Sequence, residues 1–424
     1  MNVVFVAPPV LDNGRFTMAE DCCWGTRGTR ILPIMMLSCA SQMEDASFVD
    51  LSIDPPSKLR EKKADVVIYP LMWNNHEEIH QKMSQICGNT PTIILAVPSG
   101  YMLDHAMLKP RPYAVIYSEP EKVVKGLDRL STRGDLQSWR AGAKGIAWAN
   151  QSDVVHKTEP LPTCMDDLED TNFHIVPTHY WRHYGVLGYQ ISRGCPYRCH
   201  FCVWGGSTVT DPTFKMRPAK QTAEDLMQLR SLAKEHNAKA LIYTLSAQLT
   251  TNLNWIKQFR DYMARDPYLF QGNVNLYDLT DEKMQLLKES GLTSISVGVE
   301  AVTDSLLEKM NKKHRFKHII QSMKVLDKHY DRYICHLRIG FGETDKDIAE
   351  TNINLARIKR AGIHNARFHF GPIVFYKGTY WGEHPPCPVE RHNNLGYPAY
   401  CPRMAGIPDW RPAAELLKRY GWVK

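Results

Sequence analysis

The chain has 424 residues, 43% of them apolar and 23% charged, with 52 Lys and Arg against 45 Asp and Glu for a net charge of +7. This composition excludes a disordered or fibrous chain, and no run reaches the roughly 18 apolar residues of a membrane-spanning helix. The length predicts two or three domains at roughly 150 residues each, and the modest, dispersed positive charge does not by itself call for a nucleic-acid partner.

In chain order, the first 130 residues alternate short β-rich runs with helical ones. Val3 to Ala7 reads as a strand, Ile31 to Met43 as a helix and Ser47 to Leu51 as a strand. Ala64 to Tyr69, Pro91 to Val97 and Tyr113 to Tyr117 follow as strands, with helices at His76 to Ile86 and from Glu119 to about Leu130. Such alternation predicts a parallel sheet covered on both faces, with ligands across the carboxyl ends of its strands. The loops expected there are Pro8-Pro9, Pro70 to Asn75, Pro98 to Tyr101 and Ser118 to Glu121. Neither Gly-x-Gly-x-x-Gly nor a Walker loop occurs among them, so a dinucleotide or phosphate cradle is a weak reading. Ser118-Glu119-Pro120-Glu121 also reads as a plain helix start, with Ser118 capping, Pro120 in the first turn and Glu121 completing a capping box. The N-terminus lacks a basic leader, and eleven cysteines without a secretion signal suggest a reducing compartment, so the expected location is the cytoplasm.

Residues 1–131 thus read as one domain and 132–185 as a linker. The linker holds a small hairpin (Gly145 to Ala149, Asp153 to His156) and an acidic stretch at Asp166, Asp167, Glu169 and Asp170. Over 186–375, βα units return. Strands are expected at Tyr189 to Ser192, Ala240 to Leu245, Val274 to Tyr277, Ser294 to Val297, Ile334 to Ile339 and Ala366 to Phe370. Helices are expected at Thr222 to Glu235, Leu253 to Ala264, Asp281 to Ser290, Asp304 to Met310, Lys317 to Lys328 and Asp345 to Arg360. Six such units are too few for a closed eight-unit barrel and predict a partial, open one. The basic run Lys312-Lys313-His314-Arg315 reads as a solvated helix end, and residues 376–424 as a small cap.

Directly after the first barrel strand stands Gly194-Cys195-Pro196-Tyr197-Arg198-Cys199-His200-Phe201-Cys202. Three thiolates at Cys-x3-Cys-x2-Cys spacing in one loop suit a soft metal centre. Zinc wants a fourth ligand, and none is evident nearby; a [4Fe-4S] cluster can use three cysteines and keep one iron open. A structural zinc knuckle and redox thiols are the other readings. Gly194 permits a tight turn, and Tyr197, Phe201 and Trp204 can screen the centre from water.

This motif, followed by βα units, resembles the radical S-adenosylmethionine (radical SAM) enzymes. The resemblance implies that Cys195, Cys199 and Cys202 are the catalytic and metal-ligating residues of a [4Fe-4S] cluster. The fourth iron would bind S-adenosylmethionine, whose reductive cleavage gives methionine and a 5′-deoxyadenosyl radical. Ser296-Val297-Gly298-Val299-Glu300, followed by Leu306, Lys309 and Lys312, resembles the family's fourth-strand segment. Glu300 would then accept hydrogen bonds from the cofactor, or else form a salt bridge. Ile339-Gly340-Phe341-Gly342-Glu343-Thr344 resembles the fifth, with Phe341 in place of a usual proline and backbone at Ile339 and Gly340 suited to an adenine edge. Lys215-Met216-Arg217-Pro218 resembles a further segment, in which Arg217 either neutralises the methionine carboxylate or is an exposed structural arginine. Tyr243 to Gln248 lacks the acidic pair of many relatives, leaving Ser246 and Gln248 as polar contacts. Asn275 and Tyr277 are further cavity candidates.

The preceding βα domain extends the resemblance to the cobalamin-dependent members of that family. The implied fold is α/β: a Rossmann-like cobalamin-binding domain, a partial (β/α)6 TIM-type radical SAM barrel and a small C-terminal cap. Cobalamin would lie between the domains, touching Pro8, Ser99, Gly100, Tyr101, Ser118 and Glu119, with Trp73 over its lower face. No Asp-x-His-x-x-Gly motif is present, so a histidine lower ligand is not expected. The implied activity is methyl transfer from methylcobalamin to an unactivated carbon after hydrogen abstraction. The acceptor would be a peptide or protein side chain or a metabolite, and the electron donor flavodoxin- or ferredoxin-like. Radical cyclisation or rearrangement without methyl transfer, and an iron–sulfur or cobalamin sensor, are the alternatives. Tyr376, Lys377, Thr379, Tyr380 and Trp381 are expected at the substrate entrance, and Cys387 and Cys401 as ligands of another metal or participants in turnover.

Overall fold

The computed structural model describes residues 1–9, 30–71, 76–96, 106, 108–162, 165–166, 168–205, 213–238, 241–244, 248–264, 269–277, 279–373, 375, 378–387, 391–392 and 397–398. The chain divides into two compact units. The first is Met1–Gln190 with Val209–Asp211 and Gln228–Leu241; the second is Ile191–Thr208, Pro212–Met227 and Ile242–Lys424. No described helix is long and apolar enough to cross a membrane.

The first unit contains β1 (Val3–Ala7), β2 (Arg30–Ile31), α1 (Ile34–Ala40), β3 (Ala46–Asp50), α2 (Pro56–Glu61), β4 (Val66–Pro70), α3 (His76–Cys87), β5 (Thr92–Leu95) and β6 (Ala114–Ile116). Then come α4 (Pro120–Lys125), α5 (Leu136–Gly142), β7 (Ile146–Ala149), β8 (Val155–Lys157) and β9 (Tyr184–Tyr189). Its sheet runs β3-β1-β4-β5-β6-β7-β8. The first five strands are parallel and the β7–β8 hairpin is antiparallel, extending the sheet at its β6 edge. All five residues of β1 and of β4 are buried, as continuous apolar runs in a sheet covered on both faces should be. Chain direction diverges on either side of β1, so the carboxyl edge there is the expected ligand crevice of an open α/β sheet. At the end of β3, buried Asp50 accepts hydrogen bonds from the Tyr184 hydroxyl (2.9 Å) and the Ser52 hydroxyl (2.6 Å), tying β9 to β3. Burial raises the Asp50 carboxyl above its ordinary value against those bonds.

The second unit contains β10 (Ser192–Arg193), β11 (Lys215–Met216) and most of α6 (Ala219–Glu235) and β12 (Leu241–Thr244). It continues with α7 (Leu253–Met263), β13 (Phe270–Val274), α8 (Asp281–Glu289), β14 (Leu292–Glu300), α9 (Asp304–Lys309), α10 (Phe316–His329), β15 (Tyr333–Ile339), α11 (Asp345–Arg360), β16 (Ala366–Pro372) and α12 (Tyr380–Glu383). Strands β12 to β16 pair in parallel in chain order, the arrangement of a half-barrel sheet. Helix starts are fixed by local caps. Asn252, Thr280, Thr303 and Thr344 each accept a backbone N–H through their side chains, worth about 1 kcal/mol apiece.

Two strands depart from expectation. β13 lies four residues before Val274 to Tyr277 because Gly272, a weak strand former, is required by close packing. A Cβ there would stand 2.5 Å from Leu249 and 2.6 Å from Thr244 Oγ1. Asn275 then ends the strand by accepting the Tyr277 N–H at 2.8 Å. The strand expected at Tyr189 to Ser192 is instead β9, while Ser192 and Arg193 form the separate strand β10.

Candidate active site in the second unit

The cysteine loop is closed at its base by an antiparallel pair, Ser192 opposite Met216 and Arg193 opposite Lys215. Gly194 adopts φ +70°, and a Cβ there would stand 2.4 Å from the Thr213 carbonyl, so only glycine serves. Within the loop the Cys202 N–H bonds to the Cys199 carbonyl at 3.1 Å. The loop is pinned from outside by several bonds, among them His200 Nδ1 to the Lys309 carbonyl (3.1 Å). His200 N–H meets the Met310 carbonyl (3.1 Å), Asn311 donates to the Arg198 carbonyl (2.7 Å), and Trp381 N–H meets the His200 carbonyl (2.9 Å). Phe201 packs against Trp381 at 6.0 Å between ring centroids. Tyr197 instead lines an open hollow of about 520 Å³ with Pro196, Phe214 and Thr251, and meets Tyr277 edge-on.

Burial pushes the Cys195 thiol up to about 11 and the Cys202 thiol up to about 12, the latter also feeling Cys199 and Cys195. Cys199 is raised by burial as well, and Lys312 counters this. Thiols raised in this way disfavour ionisation until positive charge arrives, which fits a metal centre that displaces their protons. Among the described residues, no three His, Cys, Asp or Glu side chains converge as ligands of a single ion.

At the end of β14, Glu300 is buried with φ +67°, next to a register shift after Gly298. Left-handed backbone at a side-chain-bearing residue is strained and recurs at functional sites. Its carboxylate accepts from Arg338 Nε at 3.1 Å and faces Lys312 Nζ at 4.0 Å. Lys312 and His314 are buried, which corrects the solvated reading of that basic run; only Lys313 is exposed. The reason is that Lys312 donates to the Gly298 carbonyl (3.0 Å) and His314 lies against the Val299 carbonyl.

Arg217 is 2% exposed, which rules out an exposed arginine; its carbonyl accepts from Trp255 Nε1 at 2.7 Å. Gln248 hydrogen-bonds the Cys195 thiol. Asn275 is buried just beyond β13. The Ile339 carbonyl accepts the Ile373 N–H (2.8 Å), and Glu343 accepts the N–H groups of Gly340 and Phe341 (2.8 and 2.9 Å), fixing the loop despite the missing proline. Trp381 is buried among Phe201, Phe341 and Phe375, so it backs the cysteine loop and does not line an entrance. Cys387 Sγ lies 3.9 Å from the Gly340 carbonyl.

At the carboxyl edge of the first unit's sheet, Pro8 is buried after β1. The expected capping box at Ser118 does not form. Ser118 Oγ pairs with the carbonyl and N–H of Leu161 (both 3.0 Å), and Glu121 accepts from Ser38 Oγ (2.9 Å). Glu119, at φ +41°, starts α4 without a side-chain cap. Trp73, Ser99, Gly100, Tyr101, Ser246, Tyr376, Lys377 and Cys401 lie outside the described residues.

Sequence reasoning missed His336, Arg338 and His369. They meet only through the pairing of β15 with β16, and no local motif announces them.

The Radical SAM superfamily model matches residues 189–352. Two curated relatives are the anaerobic magnesium-protoporphyrin IX monomethyl ester cyclases of Cereibacter sphaeroides and Rubrivivax gelatinosus. The first is 24% identical over 63% of this chain and 46% of its own length; the second is 25% identical over 66% and 52%. The chain therefore spans about half the length of these relatives. Among solved structures, the radical S-adenosylmethionine methyltransferase TsrM from Kitasatospora setae, with tryptophan substrate and a SAM analogue bound, superposes with a TM-score of 0.70. It is 13% identical, covering 100% of this chain and 89% of that one. The cobalamin-dependent S-adenosylmethionine radical enzyme OxsB, with aqua-cobalamin and S-adenosylmethionine bound, gives 0.66 at 14% identity, covering 84% of this chain and 51% of that one. The chain thus contains a radical SAM domain and has the α/β half-barrel fold of the cobalamin-dependent radical SAM enzymes.

Proposed function

We propose that this protein is a cobalamin-dependent radical SAM methyltransferase acting on an unactivated carbon. The observation that carries the reading is the loop of three cysteines, Cys195 buried and Cys199 and Cys202 half-buried, held beside Glu300 and Lys312 at the carboxyl end of the half-barrel. Cys195, Cys199 and Cys202 would hold the [4Fe-4S] cluster, which together with S-adenosylmethionine supplies a hydrogen-abstracting radical. Cobalamin, which would supply the methyl group, would be held at the carboxyl edge of the first sheet by Pro8, Ser118 and Glu119. Glu300 and Lys312 offer a paired acceptor and donor for the amino-acid end of S-adenosylmethionine. Gln248 orients the Cys195 thiol. Phe201 and Trp381 exclude water from the rear of the loop, which matters because a loosely held radical would attack the wrong hydrogen. An external one-electron donor of flavodoxin or ferredoxin type is required, and the acceptor is a peptide side chain or a metabolite.

Cyclisation without methyl transfer is the second reading, favoured by the two cyclase relatives. Anaerobic turnover with methyl-labelled S-adenosylmethionine separates the two in candidate extracts. Label in the product supports methylation, whereas a cyclised, unlabelled product rejects it.

A further inference from the structure

His200 stands in the cysteine loop between Cys199 and Cys202 and is half-buried. Its imidazole is fixed through Nδ1 at the Lys309 carbonyl and faces the ring of Tyr380 at 4.2 Å between centroids. Tyr380 in turn stacks on His384 at 4.9 Å, with 28° between the rings. His384 is exposed and Tyr380 is 46% exposed, against 2% for the adjacent Trp381. A single exposed ring needs no explanation. Here, however, three rings in succession lead from solvent to a residue bonded directly to Cys199 and one residue away from Cys202. The same face carries cations. Arg198, exposed, precedes Cys199, and its carbonyl accepts from Asn311 Nδ2 at 2.7 Å, which brings the exposed Lys313 alongside. Lys313 is near enough to favour the Cys199 thiolate. Neither Arg198 nor Lys313 forms an ion pair among the described residues. The segments that build this face hold Arg198, Lys309 and Lys313 against Glu308 and Glu383, in a chain of net charge +7. Glu383 is drawn to the Gly378 N–H at 2.7 Å.

We propose that the electron donor docks on this face, that it is an acidic flavoprotein presenting its flavin edge to Tyr380, and that the electron enters along the Tyr380–His200 stack. The occupant follows from the surface. Cations steer an acidic partner, and an exposed aromatic platform matches a planar flavin edge. Redox encounters are small, below about 1,200 Å² in total, so two or three cations weigh heavily in them. In the step, the anionic flavin hydroquinone gives up one electron and becomes the neutral semiquinone. The cluster passes from its 2+ to its 1+ state, and no proton moves. This assignment rests on the proposed radical chemistry, which requires such a donor.

The test uses the full chain, cluster-loaded under anaerobic conditions, in stopped flow. Photoreduced flavodoxin is the probe, and photoreduced 5-deazariboflavin serves as an uncharged reductant that needs no docking. Lys313→Glu should slow cluster reduction by flavodoxin about three- to fivefold at low ionic strength, with the gap closing at high ionic strength. Tyr380→Leu should slow it several-fold at either ionic strength. Deazariboflavin should reduce both variants at the parental rate. Lys313 is exposed and outside any ion pair, so its variant keeps the test open if Tyr380→Leu fails to fold. A flavodoxin rate unchanged in either folded variant, or equal slowing with both reductants, overturns the docking face. A low-potential ferredoxin that reduces the parent faster than flavodoxin overturns the choice of partner. Deazariboflavin-driven cleavage of S-adenosylmethionine alongside unchanged flavodoxin rates would lose the docking face and keep the radical reading. Lys313-dependent reduction in a protein that never cleaves S-adenosylmethionine would do the reverse.

Discussion

Replacing Trp381 with alanine should release the cysteine loop from its backing. The indole is 2% exposed and packs on Phe201, Phe341 and Phe375 at centroid distances of 6.0, 5.5 and 5.9 Å. Truncating so buried an indole costs about 3–5 kcal/mol, a large part of a domain's typical margin of about 5–15 kcal/mol. The backbone bond from residue 381 to the His200 carbonyl survives the substitution, as does the Thr379 cap of α12, so the loop should loosen without detaching. After anaerobic reconstitution, the variant should lose its visible cluster absorbance to a chelator several-fold faster than the parent, and Trp381→Phe should restore most of the protection. Phe259→Ala, a similarly buried truncation on α7, controls for general destabilisation. Trp381→Ala bleaching at the parental rate, or no faster than Phe259→Ala, would refute the packing argument.

Other outcomes follow from the same geometry. Gly194→Ala should prevent cluster incorporation while leaving the first unit's thermal transition in place, because its Cβ meets the Thr213 carbonyl at 2.4 Å; iron content per chain reads this. Glu300→Gln should cut reductive S-adenosylmethionine cleavage at least tenfold, equivalent to about 1.4 kcal/mol, and Glu300→Asp should not restore it; product yield by mass spectrometry decides. Burial holds His336 at about 4 and His314 at about 3, below the ordinary imidazole value of about 6.5. The unfolded chain therefore takes up these protons first, so stability is complete above pH ~6.5 and falls as pH drops from there toward 4, by up to about 3 kcal/mol for His336. A urea midpoint that stays flat between pH 7 and 5 would contradict the neutral buried state of both rings.

What was legible in the sequence is what short-range pattern controls. The strand Val3–Ala7 and the helix Asp345–Arg360 lie within the bounds their periodicity predicts, and the glycine before Cys195 has the turn conformation that its chemistry suggested. Features that depend on pairing were hidden. Gly272 weakened the signal of β13, although packing against Thr244 and Leu249 demands glycine. Ser118 carried a clean capping pattern, but Leu161 claims its hydroxyl and Ser38 claims Glu121. His336 and His369 look unremarkable apart and become neighbours only when β15 and β16 align in register. Lys312 reads as solvated from its basic company, yet the Gly298 carbonyl and Glu300 draw it inside.

The most direct measurement is metal analysis with Mössbauer spectroscopy on protein reconstituted anaerobically with iron and sulfide, alongside a Cys195→Ala/Cys199→Ala/Cys202→Ala variant. Four irons per chain in a cubane, one of them changing its signal when S-adenosylmethionine is added, are expected for the parent and absent from the variant. Stoichiometric zinc without a four-iron centre in the parent, or equal iron in both proteins, would contradict the radical assignment.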